Sequence, residues 1–129
     1  MRFYSRGIAR KAETAFRCPL LARLLAPWFK RRHISGLGCN MSFWRADAVA
    51  INGYDERYEG WGQEDDDLAH RLYRLGCRKR ALRFAGIVFH LWHRERTAAD
   101  ETHRANRAYC LEQDRLQTVR CERGIDRYL

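Results

Sequence analysis

Four carboxylates stand in a row at Glu64-Asp65-Asp66-Asp67, behind a Gly60-Trp61-Gly62-Gln63 lead-in. Neighbouring like charges repel, so few backbones accommodate such a run. The N-terminus of a helix is one that does, because its unpaired N–H groups and the helix dipole favour negative charge. The run therefore predicts a helix starting at Glu64. Leu68, Leu72 and Leu75 then recur at helical spacing, and Gly76 supplies a natural stop.

The same run has two readings. It can be no more than an acidic first turn. Alternatively, Trp61 on a glycine-flanked loop offers an aromatic platform beside carboxylates, a combination that suits a sugar. The ring stacks on the indole, the hydroxyls bond to the carboxylates, and one carboxylate can act as general base. A second chemical feature is His90-Leu91-Trp92-His93. Two imidazoles three residues apart can share one metal on a helix or a bent strand end, but in a straight strand they diverge. A structural role for them stays open.

The remaining organisation follows from local pattern. Gly36 to Trp44 predicts a strand, Arg45 to Ala50 a short helix, and Asn52-Gly53-Tyr54-Asp55 a turn. Ala81 to Phe89 suits a buried strand, and Asp100 to Arg123 a long charged helix ended by Gly124. Three regions are expected: 1–32, a basic amphipathic helical segment; 33–99, the region that holds the acidic run and the histidine pair; and 100–129, the charged C-terminal helix.

Charge is concentrated at the start. Of the 25 Lys/Arg and 16 Asp/Glu, residues 1–32 hold nine bases and one acid, which leaves the remainder almost neutral despite the formal +9 of the whole chain. With Leu20, Leu21, Leu24, Leu25 and Trp28 on an apolar face, this segment resembles a helix lying on an anionic membrane surface. A helix packed on its own domain with a solvated basic face is the plainer alternative. The apolar stretch is interrupted by Arg23, which argues against a bilayer span or a secretory signal. Nucleic acid is disfavoured as a partner because no recognisable module accompanies the basic residues. Cys18, Cys39, Cys77, Cys110 and Cys121 are odd in number, widely spaced and without a Cys-x-x-Cys pair, which fits reduced thiols in the cytoplasm.

Several motifs now line up in order. Gly38-Cys39-Asn40-Met41-Ser42-Phe43-Trp44-Arg45 is followed by Ile51-Asn52-Gly53-Tyr54-Asp55-Glu56, then Gly60 to Leu68, Arg71-Leu72, Gly76, and His90 to His93. Together they resemble the C-terminal half of family 2 glycosyltransferases with the GT-A fold, and are similar to the C-terminal domain of the beta-1,4-galactosyltransferases. The resemblance implies an α/β fold, a mixed sheet with flanking helices. It implies inverting transfer from a nucleotide-sugar donor to a glycan or lipid-linked acceptor, in cell-surface polysaccharide or lipopolysaccharide synthesis. Asp65 matches the catalytic base, Glu64 and Asp66 match acceptor-binding carboxylates, and Trp61 matches the aromatic of a mobile loop. Gly62 and Asn40 fall within the substrate-binding motifs. His93 matches a ligand of a divalent metal, Mn²⁺ or Mg²⁺, and His90 falls where the galactosyltransferases place a Met ligand.

The nucleotide-binding half of that fold ends a strand in Asp-x-Asp, yet no Asp precedes Asp47. That half is therefore expected to be missing, with donor and metal binding expected only in its presence. A truncated, non-catalytic glycan-binding or partner subunit is the alternative function. The expected location is cytoplasmic, peripheral at the inner face of the plasma membrane.

Overall fold

The computed structural model describes residues 17–25, 38–80, 82, 84–86 and 101–129. These contain four α-helices: α1 (Pro19–Leu25), α2 (Arg45–Ala50), α3 (Glu64–Arg74) and α4 (Glu101–Arg115). Short 3₁₀ turns cover Gly38–Asn40 and Ile125–Tyr128. The chain divides into two units, one holding residues 1–31 and 80–90, the other 32–79 and 91–129. In the first, the Cys18 N–H donates to the Phe84 carbonyl at 2.9 Å. The second carries α2, α3 and α4.

The mixed α/β sheet of a GT-A half is not what the described residues form; they are helical, with no strand among them. The reason is visible in where the backbone N–H groups go. Gly38 donates to the Asp65 carboxylate instead of a ladder partner, and Gly38–Asn40 closes into a 3₁₀ turn. In the second expected strand, Ala85 and Gly86 both donate to the Leu82 carbonyl, and Phe84 has φ +63°. Those bonds close a local turn, and Leu82 is half exposed where a buried strand was expected.

The expected helix at 45–50 and the start at Glu64 are both found. Three helices end in the same closure, with a left-handed residue just past the cap. In α2, Asn52 (φ +69°) is that residue: it donates to Val49 O, and Gly53 donates to Ala48 O. In α3, Gly76 (φ +106°) donates to Tyr73 O and Cys77 to Leu72 O. In α4, Gln117 (φ +54°) donates to Asp114 O and Thr118 to Gln113 O, so this helix stops at Arg115, short of the expected Arg123.

The apolar core of the second unit is small: Ile51, Leu68 and Leu72, with Met41, Cys77 and Val119 packed against it. Among the described residues the largest fully buried side chain is Arg71. Its Nε donates to Asp67 Oδ2 at 2.7 Å, and its Nη1 donates to the carbonyls of Ile51 and Gly53, each at 2.8 Å. Burial pushes the Asp67 carboxyl above its usual range, and Arg71 offsets only part of that. Desolvation thus outweighs attraction, as is common for a buried ion pair. The same turn is held from its other side. Asn52 Nδ2 donates to Cys121 O at 3.0 Å, and the N–H of Asp126 donates to Asn52 Oδ1 at 2.9 Å.

Two outcomes test this core. Arg71→Ala strands Asp67 and two carbonyls, and should cost about 3–5 kcal/mol in urea unfolding. A Cβ at Gly124 would lie 1.9 Å from the Asn52 carbonyl oxygen. Gly124→Ala should therefore lower stability by roughly 1–3 kcal/mol, read from the same unfolding curves.

Candidate functional site

The first turn of α3 sends its four carboxylates in different directions, because successive helical residues are turned by about 100°. Asp67 points inward to Arg71. Asp65 faces the chain segments around Gly38 and Tyr54. Its Oδ2 accepts the Gly38 N–H at 2.6 Å, and its Oδ1 accepts the Tyr54 hydroxyl at 2.9 Å. A carboxylate gripped at both oxygens has little rotational freedom, yet each oxygen keeps a lone pair for a ligand.

Tyr54 is a reliable donor. Burial, then the bond to Asp65, then the charges of Asp65 and Glu64 push its hydroxyl up to about 12, so it stays protonated at neutral pH. A side chain at Gly38 would displace the Asp65 carboxylate: a Cβ there would stand 2.5 Å from Asp65 Oδ1 and 2.7 Å from Oδ2. Glycine at 38 is thus the seat of the Asp65 carboxylate.

Glu64 has one carboxylate oxygen shielded from solvent and without a hydrogen-bond partner among the described residues. Asp66 is partly exposed on the same turn. The lead-in loop rests on the N-terminal turns of α4. The Trp61 ring meets His103 edge to face, with centroids 5.3 Å apart. Gly60 and Gly62, with φ of +71° and +106°, lie beside Thr102 and His103. Asn106 Nδ2 donates to the Glu59 carbonyl at 2.8 Å. The indole remains 46% exposed, enough to present a face to a ligand.

The structure therefore brings Gly38, Tyr54 and Asp65 together across 27 residues of sequence. Glu64 and Asp66 flank Asp65, Trp61 and Gly62 sit on the loop before α3, and Asn40 is exposed in the 3₁₀ turn beyond Gly38. His90 and His93 lie outside the described residues. Two contributors were not singled out by spacing. Tyr54 stood only in a turn motif, and His103 lay in a helix with no marked pattern. Both act through contacts distant in sequence. A mostly apolar crevice of about 340 Å³ is lined by Phe43, Tyr54, Leu68 and Ile125, with Glu56 and Tyr128 also bordering it.

Glu64, Asp65 and Asp66 on the first turn of α3 thus follow directly on the loop that carries the exposed Trp61 indole. Residues 21–94, more than half of the chain, match the family described as the N-terminal domain of galactosyltransferase. The chain belongs to that family, and its galactosyltransferase-like domain assigns it to the glycosyltransferases. Comparison with curated proteins and with solved structures gives no match. Among the described residues, no helix is long and apolar enough to cross a membrane.

The cradle makes a sharp prediction. Gly38→Ala should displace the Asp65 carboxylate and reduce glycosyl transfer by at least about tenfold, the loss of roughly 1.4 kcal/mol of transition-state stabilisation. Its urea midpoint should move far less than that of Arg71→Ala.

Proposed function

We propose that this chain is the acceptor-side, C-terminal part of an inverting glycosyltransferase that moves a sugar from a nucleotide-sugar donor to a glycan or lipid-linked acceptor. The observation that carries the reading is the double hold on Asp65 by Gly38 and Tyr54, within the segment that matches the galactosyltransferase family. Asp65 accepts the proton of the acceptor hydroxyl as that oxygen attacks the anomeric carbon. The bond from that carbon to the donor phosphate breaks, and the nucleoside diphosphate leaves with the bonding pair. One displacement inverts the anomeric centre.

The supporting residues divide the work. Glu64, with its unpartnered oxygen, and Asp66 accept hydrogen bonds from further acceptor hydroxyls. Trp61 offers its indole to a sugar face. Gly62 lets the loop backbone approach the ligand, and Asn40 contributes an amide from the neighbouring turn. His93 with His90 would hold a divalent cation, Mn²⁺ or Mg²⁺, whose remaining ligands would be oxygens and which would supply positive charge to the departing diphosphate. We place the acceptor in cell-surface polysaccharide or lipopolysaccharide synthesis, at the cytoplasmic face of the membrane. The basic residues of 1–32 would meet the anionic headgroups there.

The test is transfer from a panel of nucleotide sugars with Mn²⁺, by this chain complemented with a nucleotide-binding half. Asp65→Asn should abolish turnover and leave donor binding intact. Undiminished turnover in that variant would exclude Asp65 as the base. Titration of the chain alone with nucleotide sugar and Mn²⁺ should show little donor binding, and tight binding would contradict the acceptor-side assignment.

A further inference from the structure

We propose that His70, Cys110 and Asp114 form a binding site for a Zn²⁺-type transition-metal cation where α3 packs on α4. One ligand atom from each of the three residues can be chosen so that all lie within 4.8 Å of one another. Cys110 and Asp114 are four residues apart on α4 and so share a face, while His70 comes from α3. None of the three residues is among those assigned to glycosyl transfer.

The donor set selects the metal. Thiolate, imidazole and carboxylate together suit Zn²⁺ or Co²⁺, whereas Mg²⁺ and Mn²⁺ favour oxygen. Three protein ligands leave a fourth position for water. One thiolate and one carboxylate neutralise a divalent cation. The site is sheltered but reachable: Cys110 is buried, and the His70 and Asp114 side chains are 22% and 33% exposed.

Without metal, His70 Nδ1 lies 2.7 Å from Asp114 Oδ1, and the Arg74 guanidinium pairs with that same oxygen. A cation would replace the proton shared by imidazole and carboxylate. Arg74 also donates to Thr118 O at 2.9 Å, so the guanidinium holds the Asp114 carboxylate in place from outside the cluster. The positive Arg74 sets a limit on affinity. A second observation points to the same place. The buried Tyr58 hydroxyl has no hydrogen-bond partner among the described residues and interacts electrostatically with the Cys110 thiol. A metal-bound thiolate accepts such an O–H better than a thiol does. The bound cation would tie α3, whose first turn carries Glu64, Asp65 and Asp66, to α4.

The experiment titrates the metal-stripped full chain with Co²⁺ and follows thiolate-to-cobalt absorption, then displaces it with Zn²⁺. Wild type should show the band and a higher melting temperature with either metal. Cys110→Ser should lose the band, and Cys77→Ser should keep it. His70→Gln, at a partly exposed position, should weaken binding by more than about tenfold, beyond what outer-shell losses usually cost. It decides the matter even if Cys110→Ser does not fold. Absence of the band in wild type, its persistence in Cys110→Ser, or undiminished affinity in His70→Gln would overturn the proposal.

Discussion

A guanidinium sits where a small domain would ordinarily place a large apolar side chain. Arg71, 1% exposed, spans from Asp67 on its own helix to the carbonyls of Ile51 and Gly53 in the turn after α2. Because burial pushes the Asp67 carboxyl up despite its ion pair with Arg71, the pair is better read as a positioning device than as a source of net stability. Its consequence is geometric. Tyr54 follows Gly53 directly, so fixing that turn fixes the hydroxyl that reaches Asp65. The residue four positions before Arg71 anchors it, and the one two before that anchor is the proposed base. One turn of α3 thus connects the buried core to the chemistry.

The acidic run illustrates why four adjacent carboxylates need not share a fate. Helical rotation separates them into an inward member, a clamped member and flanking ones. Asp67 is consumed by the core, Asp65 by Gly38 and Tyr54, and Glu64 retains a sheltered oxygen with no partner among the described residues. The helix dipole favours all four at this end. The cap residue Gln63 adopts φ +75° and makes no side-chain cap bond, so the acids themselves carry the N-terminal charge complement.

Legibility in the sequence followed the range of the interaction. The start of α3, its stop at Gly76, the short helix at 45–50 and the Asn52-Gly53 turn depend on residues within one or two turns, and all were readable. The end of α4 was not, because Gln117 takes a left-handed conformation that glycine or asparagine usually marks. The strand expected at 36–44 failed for a different reason. Its glycines suggested close approach in a sheet, but Gly38 approaches a carboxylate from 27 residues away. The apolar run at 81–89 was equally ambiguous, since a short run carries no period, and its described residues turn on Leu82. Of the site, the carboxylates and Trp61 were legible as a local cluster. Tyr54, His103 and the seat at Gly38 belong to long-range packing, which spacing does not encode.

The central claim is that the turn carrying Tyr54 is held so that its hydroxyl grips Asp65. A double-mutant cycle of Tyr54→Phe and Asp65→Ala, read in urea unfolding free energies, measures that grip directly. A coupling of about 0.5–1.5 kcal/mol is the predicted result, the worth of one hydrogen bond. Additive effects, agreeing within about 0.3 kcal/mol, would contradict it.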